Sequence, residues 1–347
     1  MTMTDSNLLT EVRSLTDQVL DAHREDTNPT DLIRDLAEAG LLDPQLLDDD
    51  AGRDDGSMAG AGSPASAVIA ALAAANAAVP VVEHLWMAVH LLDVAGLRTP
   101  ADAGAPLLTA ALGTDLSVDR LGEDLSLDGV LDAVSGIDVV DGLVVLLGDG
   151  TVARIPRGEV QVSGTRRLGS MAWSKVEFAQ VRVPADAHSP TTMNADDFRE
   201  RNAAGRLLAI RAAAARATGL TTDHLSSRVQ FGRELRKFQA AQNRLSACIG
   251  EQILLSIGSD LSLTGRKADI AAARIDARRS VTVIRDNTHQ LHGAMGITAE
   301  YPLGMLSTNM IAWLADTGSD RWWIDRAKTM IAEAGPWATI TGEQDET

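Results

Sequence analysis

The hydrophobic pattern changes twice along this chain of 347 residues, and those changes restrict the possible folds more than any single motif does. Residues 1–105 repeat apolar side chains at helical spacing, residues 106–190 break into short apolar runs, and residues 191–347 return to helical spacing. Helices, then strands, then helices predict an α+β protein in three parts. The length allows this, because a single hydrophobic core stops growing at about 250–300 residues.

Amphipathic periodicity locates the helices of the two outer parts. In the first part it predicts helices over residues 8–19, 31–42, 65–78 and 85–97. The stretch Asp48–Pro64, rich in Asp, Gly and Ser, is predicted to be a mobile loop. In the last part it predicts helices over residues 207–224, 239–263, 267–289 and 305–315. Lengths of about 12 to 25 residues suit an antiparallel bundle.

Short apolar runs and Asp-Gly pairs mark the middle part. The predicted strands include residues 107–112, 142–147 and 176–183. Asp128-Gly129, Asp141-Gly142 and Asp149-Gly150 are turn signals, because tight hairpin turns need residues that tolerate positive φ. A part of about eighty residues with this pattern predicts a β domain of the size of one small barrel.

Charge and composition exclude several classes of function. A formal net charge of −17 argues against nucleic acid or an anionic membrane as a partner. Cys248 is the single cysteine, so neither a disulfide framework nor a thiolate metal cluster is possible, and a buried thiol is predicted. His84 and His90 lack carboxylate or thiolate partners at metal-ligand spacing, so no metal site is predicted.

The N-terminal stretch Met1–Glu11 is polar and acidic and does not have the pattern of a secretory signal. The longest apolar stretch, Ala65–Val82, is broken by Asn76 and Pro80 and predicts a buried helix. We therefore expect a cytoplasmic protein that does not span a membrane.

Two glycine-bearing stretches in the last part offer donors where a backbone can approach an anion. The first runs from Arg228 through Gln230 and Phe231 to Gly232, and the second begins 62 residues later at Gln290. The guanidinium of Arg228 presents a fork of donors that fits a pair of phosphate oxygens. Taken singly, each stretch could be an ordinary loop or helix cap, whereas the two together predict an anion site.

In this order and spacing the two stretches resemble the C-terminal helical domain of acyl-CoA dehydrogenases. The second continues through His292, Gly293, Ala294 and Gly296 to Glu300-Tyr301-Pro302, and Ala294 departs from the family's glycine pair. Residues 165–184, from Thr165-Arg-Arg-Leu168 to Val183-Pro184, are similar to the end of the family's β domain, and Pro80 with Glu83 to a "P..E" pattern. The three-part order is also the family's order of helical domain, β-barrel domain and four-helix bundle.

The resemblance implies FAD as the cofactor and an acyl-CoA thioester as the substrate. In that family FAD lies between two subunits, so that the flavin ring rests on the β domain of one chain and the adenine diphosphate is held by the bundle of its neighbour. The residues implied to bind it are Arg228, Gln230, Phe231, Gln290 and Gly293.

The elements that face the flavin in that family are poorly matched. The family's T-E-P-x-x-G-S-D loop corresponds to residues 112–120, which contain neither a proline nor a Gly-Ser turn. Trp173-Ser174 is the best match to an aromatic and hydroxyl pair beside the flavin. A core tryptophan followed by a turn serine explains Trp173-Ser174 about as well.

The family's catalytic glutamate is also missing. It lies 17 residues after the glutamate of E-Y-P, and counting from Glu300 reaches Thr317, followed by Gly318-Ser319. Threonine is no base at neutral pH without help, and the adjacent Asp316 has a shorter side chain. Glu200 lies about two residues from the place where other members carry the base on the first bundle helix. We predict no catalytic base, with Asp316 and Glu200 as the alternatives.

These features are similar to those of the base-lacking subunit of actinobacterial heteromeric, sterol-type acyl-CoA dehydrogenases. The resemblance implies an accessory subunit that donates FAD-binding residues to a paralogous catalytic chain in a hetero-oligomer. One alternative is a self-sufficient homo-oligomer that uses Asp316 or Glu200, and another is an interaction protein without flavin. Trp313, Trp322 and Trp323 are predicted to be core or interface residues.

Overall fold

In a computed structural model of the chain, the described residues are 3–23, 28–46, 58, 63–97 and 106–342. They divide into two compact units. The first comprises residues 1–51, 62–72 and 77–202, and the second comprises residues 52–61, 73–76 and 203–347. The predicted loop Asp48–Pro64 lies outside the described residues, apart from Met58, Ser63 and Pro64.

Helices occupy the N-terminal part, as predicted. They are α1 (Met3–Ala22), α2 (Pro29–Glu38), α3 (Pro64–Ala74), a π-helix (Val82–Val89) and α4 (His90–Val94). The prediction of one α-helix over residues 85–97 was wrong in part, since this segment starts three residues earlier and is π-helical over eight residues. All eight of these side chains are buried, so tertiary packing on every side can stabilise the wider turn.

Buried polar side chains of the π-helix are hydrogen-bonded to neighbouring elements. The hydroxyl of Ser135 donates to the carboxylate of Glu83. The Nε2 of His84 donates to the carbonyl of Leu42 at 3.0 Å, and its Nδ1 accepts from the amide of Leu108 at 3.1 Å. Because Nδ1 accepts a hydrogen bond, His84 is neutral, and burial lowers its pKa to about 4.

We expect the first unit to lose stability as the pH falls below about 6.5, the unfolded-state pKa of histidine. A native pKa of about 4 means that neutral His84 contributes stability above pH 6.5, and this contribution disappears as the pH falls toward 4. Burial also lowers the pKa of His90, to about 3, which adds in the same direction. Urea denaturation should give a free energy of unfolding lower by roughly 4 kcal/mol at pH 5 than at pH 7.5, with about 2 kcal/mol from each histidine. His84→Gln should reduce that difference and His188→Gln should not; a stability independent of pH would contradict the assignment.

Eight strands form two four-stranded sheets in the middle part. They are β1 (Leu108–Gly113), β2 (Ser117–Leu121), β3 (Asp124–Ser135), β4 (Gly142–Leu147), β5 (Thr151–Pro156), β6 (Gln161–Leu168), β7 (Met171–Val183) and β8 (His188–Pro190). One sheet has the order β1-β4-β5-β8 and the other β2-β3-β7-β6. All six residues of β4 are buried, so the first sheet has a hydrophobic strand at its centre.

The three Asp-Gly pairs play different roles. Asp149-Gly150 forms the predicted turn, between β4 and β5, with Gly150 at φ +84°. Asp141-Gly142 leads into β4 without a hairpin, and the carboxylate of Asp141 accepts a hydrogen bond from the amide of Leu107 at 2.8 Å. The prediction of a turn at Asp128-Gly129 was wrong. That pair lies inside β3, where the register against β7 shifts, and Gly129 at φ +132° permits the bulge.

The C-terminal part is helical. Its elements are α5 (Ala195–Ser227), a hairpin of β9 (Val229–Gln230) and β10 (Arg233–Glu234), α6 (Gln239–Ser262), α7 (Lys267–His292), α8 (Leu303–Asp316), α9 (Asp320–Ala334) and α10 (Pro336–Thr341). The four predicted helices are confirmed, although α5 begins twelve residues earlier than predicted. Trp323 is fully buried and clusters with Ala203, Ile270 and Ala271, which confirms that it is a core residue.

Among the residues that the structure describes, no group of three or more His, Cys, Asp or Glu side chains could hold a metal ion. None of the helices within the described ranges is both long and apolar enough to cross a membrane. Cys248 is buried as predicted, and burial raises the pKa of its thiol to about 11.

Candidate functional site

The Arg228 stretch forms a tight hairpin directly after α5. The amide of Arg228 donates to the carbonyl of His224 at 2.9 Å, and its carbonyl accepts from the amide of Leu235 at 2.9 Å. Between these bonds the chain reverses at Phe231 and Gly232, which have φ values of +52° and +77°. Positive φ at both central residues defines a type I′ turn, the geometry that suits a two-residue hairpin.

Phe231 projects from the tip of this hairpin. Its side chain is 90% exposed, and it meets the ring of Phe238 edge-on with 6.1 Å between centroids. A positive φ is rare for a bulky residue, so the backbone at Phe231 is unusual. Gln230 is also exposed, on the strand that leads into the turn.

Most charged groups of the hairpin are engaged within it. Arg236 and Lys237 form ion pairs with Glu234, and the hydrogen bond from Arg236 is the main cause of the lowered pKa of that carboxyl. The guanidinium of Arg233 lies 4.0 Å from the ring centroid of Phe238. Among the described residues no carboxylate lies within ion-pair distance of Arg228. Its guanidinium is therefore the one in this segment best placed to bind an external anion.

The Gln290 stretch ends α7 and leaves an open face. Gly293 has φ +60°, and apart from its own chain neighbours no atom of the described residues lies within 4 Å of the place where a Cβ would stand. Gln290 is exposed, and its amide has no hydrogen-bond partner in the part of the chain that the structure describes. At Gly296, by contrast, a Cβ would lie 2.9 Å from that of His292, so the loop packs closely there. The loop is thus closely packed at Gly296 and leaves space beside the backbone at Gly293.

A cleft of about 380 Å³ joins the two stretches within the second unit. Its lining comes from the C-terminal end of α5 and from the loop after α7, and comprises Leu220, Asp223, His224, Ser227, Arg228, Met295 and Tyr301. Sequence reasoning identified Arg228 but missed Leu220, Asp223 and His224. Helical spacing could have indicated two of these, since Leu220 and His224 are four residues apart on one face of α5, and Arg228 follows four residues later, directly after the helix.

Three rings stand in a row beside this cleft. The rings of His224 and His292 are stacked with 4.6 Å between centroids, and the ring of Tyr301 lies 5.1 Å from that of His292. The Nδ1 of His292 donates to the carbonyl of Thr288 at 2.8 Å, so its Nε2 accepts from the hydroxyl of Tyr301 at 3.0 Å. Burial lowers the pKa of both histidines, which favours their neutral forms.

The position predicted for a base is a helix junction. The hydroxyl of Thr317 donates to the carbonyl of Leu314 at 2.8 Å and accepts a hydrogen bond from Nε of Arg274. The buried Arg274 also donates to the carbonyls of Leu314 at 3.0 Å and Gly318 at 3.2 Å, and to the carboxylate of Asp320 at 3.1 Å. These bonds satisfy carbonyls at the end of α8 that have no partner within the helix. Thr317 is thus part of a structural cap.

Neither alternative base presents a free carboxylate. Asp316 accepts hydrogen bonds from Arg206 at 2.9 and 2.8 Å, and the side chains are only 11% and 3% exposed. Proton abstraction by Asp316 would disrupt this buried ion pair, which is costly. Glu200 is 2% exposed and belongs to the first unit.

Trp173 and Ser174, which were compared with a flavin-facing pair, lie on β7 and contact neighbouring strands of their sheet. Ser174 is buried, and its hydroxyl shares a hydrogen bond of 2.8 Å with that of Thr165. Trp173 is half-buried and lies opposite Ser135 of β3. Residues 112–120 form the end of β1, a turn and β2. Leu116 in this turn is buried, close to Gly113 and Gly129.

Comparisons with known proteins agree on the fold. Residues 199–315 match the family model described as acyl-CoA dehydrogenase, C-terminal domain. The structure of the ChsE4–ChsE5 complex from Mycobacterium tuberculosis is 22% identical with a TM-score of 0.78, covering 96% of this chain and 98% of that one. The Tcur3481–Tcur3483 steroid ACAD G363A variant is 20% identical with a TM-score of 0.77, covering 95% and 99%.

A glutaryl-CoA dehydrogenase from Mycobacterium smegmatis, solved in complex with FADH2, is 16% identical with a TM-score of 0.71, covering 100% of this chain and 97% of that one. None of the curated proteins matches the sequence.

Proposed function

We propose that this chain is an accessory subunit of an FAD-dependent acyl-CoA dehydrogenase. It has the acyl-CoA dehydrogenase fold, and its residues 199–315 match the C-terminal domain of that family. The fold confirms the resemblance to acyl-CoA dehydrogenases, and the accessory role is the proposal. In the proposed complex Arg228 and Gln290 hold the diphosphate of FAD, and a paralogous partner chain seats the flavin ring and provides the base. When bound, FAD would supply the hydride acceptor for dehydrogenation of the acyl chain.

One observation carries this proposal: the place expected to hold a proton acceptor is a threonine bound to a buried arginine. A base must have a free lone pair over the carbon that it deprotonates. The hydroxyl of Thr317 is held between Arg274 and the carbonyl of Leu314, and Asp316 is held by Arg206. The side chains at this junction serve the packing of α5, α7 and α8 rather than proton transfer.

The residues of the Arg228 and Gln290 stretches fit the diphosphate of a dinucleotide. Arg228 has no ion-pair partner among the described residues, Gln290 is exposed, and Gly293 leaves open space above the backbone. Arg228 supplies a bidentate donor pair for phosphate oxygens, and Gln290 adds an amide.

The proposed substrate is a bulky CoA thioester with a sterol side chain, and the proposed assembly is a cytoplasmic heterotetramer. The fold is shared with the ChsE4–ChsE5 complex and with the Tcur3481–Tcur3483 steroid ACAD, both named for two different chains. These likenesses support a paralogous partner and a steroid-type substrate.

The variant Asp316→Asn distinguishes the proposed accessory subunit from the alternative of a self-sufficient enzyme that uses Asp316 as its base. We expect the substituted complex to keep its turnover per folded molecule. Its free energy of unfolding should fall by about 2–3 kcal/mol, because the buried Arg206 loses its anionic partner. Turnover is measured by the reduction of an artificial electron acceptor, and stability by urea denaturation.

Asp260→Asn is the matched control, since Asp260 pairs with Arg211 at the surface and its loss should cost less than about 1 kcal/mol. A loss of turnover by a factor of about 10³ in folded Asp316→Asn would instead assign the base to Asp316. The same result for Glu200→Gln would assign it to Glu200.

A further inference from the structure

The outward face of α6 is apolar. Five large aliphatic side chains of this helix are between 42% and 54% exposed, namely Ile249, Ile253, Leu254, Ile257 and Leu261. Their spacing places them on one face of the helix. Contiguous apolar patches on soluble proteins mark surfaces that another molecule covers. We propose that this face pairs with the same face of a second copy of this chain, with the two α6 helices antiparallel about a two-fold axis at Ile253.

The charged side chains of α6 lie away from this face. Those that precede Asp260 in the helix are Arg244 and Glu251, and both are bonded to α7. The guanidinium of Arg244 donates to the side chain of Asn287 at 2.8 Å. The carboxylate of Glu251 accepts a hydrogen bond from Arg279. An uncharged face suits contact with a second apolar surface, because no charge loses its water when the face is covered.

The arrangement of residues along the face favours a second copy as the partner. A two-fold axis perpendicular to α6 at Ile253 places each residue opposite the one that is equally far on the other side, so Ile249 lies opposite Ile257. By the same symmetry Ser246 lies opposite Asp260, and both are exposed. The hydroxyl of Ser246 in each copy can then donate to the carboxylate of Asp260 in the other. A parallel pair would instead bring the two Asp260 carboxylates together, which costs free energy.

The middle of the face allows a close approach of the two helices. Gly250 is exposed, and outside its own helix backbone and chain neighbours no atom of the described residues lies within 4 Å of the place of a Cβ. Ser256, which lies opposite Gly250 across the axis, is also small. On the side of α6 that faces α7, by contrast, a Cβ at Gly258 would lie 3.2 Å from that of Ala273.

The length of α6 gives the area that such a pairing covers. The helix has 24 residues and is therefore about 36 Å long, with a diameter of about 10–12 Å. A strip of these dimensions covers roughly half of the about 800 Å² per partner that a stable interface buries. The face of α6 would thus form the apolar core of the contact, and the surface beside it would form the rim.

This pairing concerns the surface of α6 and is independent of FAD binding and of the catalytic base. In the proposed heterotetramer, which would contain two copies of this chain, it would join those copies to each other. A failure of the pairing would leave the proposed accessory role untouched, and the pairing could hold in a self-sufficient enzyme as well.

Analytical ultracentrifugation of the full chain measures the pairing. We expect a dimer, and Ile253→Asp, which brings two carboxylates together on the axis, should raise its dissociation constant at least about 100-fold. Leu121→Asp is the matched control, since Leu121 is 55% exposed on β2 and Ile253 is 54% exposed. It should leave the dissociation constant unchanged. A chain that remains monomeric, or a dimer that Ile253→Asp does not weaken, would overturn the pairing.

Single cysteines test the register and the identity of the occupant. Ile253→Cys should form a disulfide between two copies on mild oxidation, because facing Cα atoms of closely packed helices come within about 7 Å. Ile249→Cys should not link to itself, whereas a mixture of Ile249→Cys and Ile257→Cys chains should link. The native Cys248 is buried and does not compete. Ile253→Cys chains that stay unlinked would exclude a second copy, and self-linked Ile249→Cys would exclude the antiparallel register.

Two substitutions of Ser246 test the polar ends of the contact. Ser246→Asp places a carboxylate opposite Asp260 of the other copy and should weaken the dimer about tenfold, whereas Ser246→Lys meets the same carboxylate with a positive charge and should not weaken it. Circular dichroism checks that both variants are folded. Equal effects of the two substitutions would show that Ser246 does not lie opposite Asp260.

Discussion

Replacing both Arg228 and Gln290 by alanine is expected to release FAD from the proposed complex of this chain with a partner. In the proposed site Arg228 would contribute charge-assisted hydrogen bonds, worth about 1.5–3 kcal/mol, and the amide of Gln290 about 1 kcal/mol more. The combined loss should raise the dissociation constant of FAD about 100-fold. The ratio of FAD to protein after gel filtration, and a fluorescence titration with added FAD, measure this effect.

Arg236→Ala is the matched control for this double substitution. Arg236 belongs to the same segment and is exposed, but it pairs with Glu234, so its removal should leave the FAD content unchanged. A complex that retains all its FAD after both Arg228 and Gln290 are replaced would show that these side chains do not bind the cofactor. It would favour the alternative in which the scaffold serves only protein interaction.

Local patterns in the sequence were sufficient for most of the fold. The bundle helices α6, α7 and α8 repeat apolar residues at helical spacing, so their positions followed from periodicity within a few residues. The π-helix could not be predicted in this way. Val82–Val89 is buried on every side, and its wider turn depends on neighbours such as Ser135 that are distant in the sequence.

The turn at Gly129 illustrates a second limit of local patterns. An Asp-Gly pair signals a backbone that needs positive φ, which both a hairpin turn and a bulge inside a strand provide. Pairing of β3 with β7 decides between them, and that pairing joins segments about fifty residues apart, for example Gly129 with Phe178. The local sequence therefore indicated an irregularity but not its kind.

The candidate site also has features that local sequence predicted and features that depend on tertiary packing. Arg228, Gly232 and Gly293 were recognisable because glycine and arginine occupy loops with short, local constraints. The pairing of Arg206 with Asp316 spans 110 residues and that of Arg274 with Thr317 spans 43, so both depend on how the helices pack. The sequence predicted a threonine at the place expected for the base, and the structure shows the hydrogen bonds that Thr317 makes there.

The second prediction with a large expected effect concerns the turnover of this chain without a partner. Because Thr317 is bonded to Arg274 and Asp316 is paired with Arg206, the chain alone should not remove a proton from a thioester at a useful rate. We expect its turnover to be lower by a factor of at least about 10³ than that of the complex, the upper part of the range for loss of a general base. Co-expression with the paralogous partner should restore both FAD binding and turnover.

The most direct test of the central claim is to add an acyl-CoA to the purified chain in the presence of excess FAD and to follow flavin absorbance without oxygen. Octanoyl-CoA and a CoA thioester with a sterol side chain serve as probes. We expect the chain alone to leave the flavin oxidised with both thioesters, and the proposed complex with a partner to reduce it with the sterol-type thioester. Rapid flavin reduction by the chain alone would contradict the claim that it has no proton acceptor of its own.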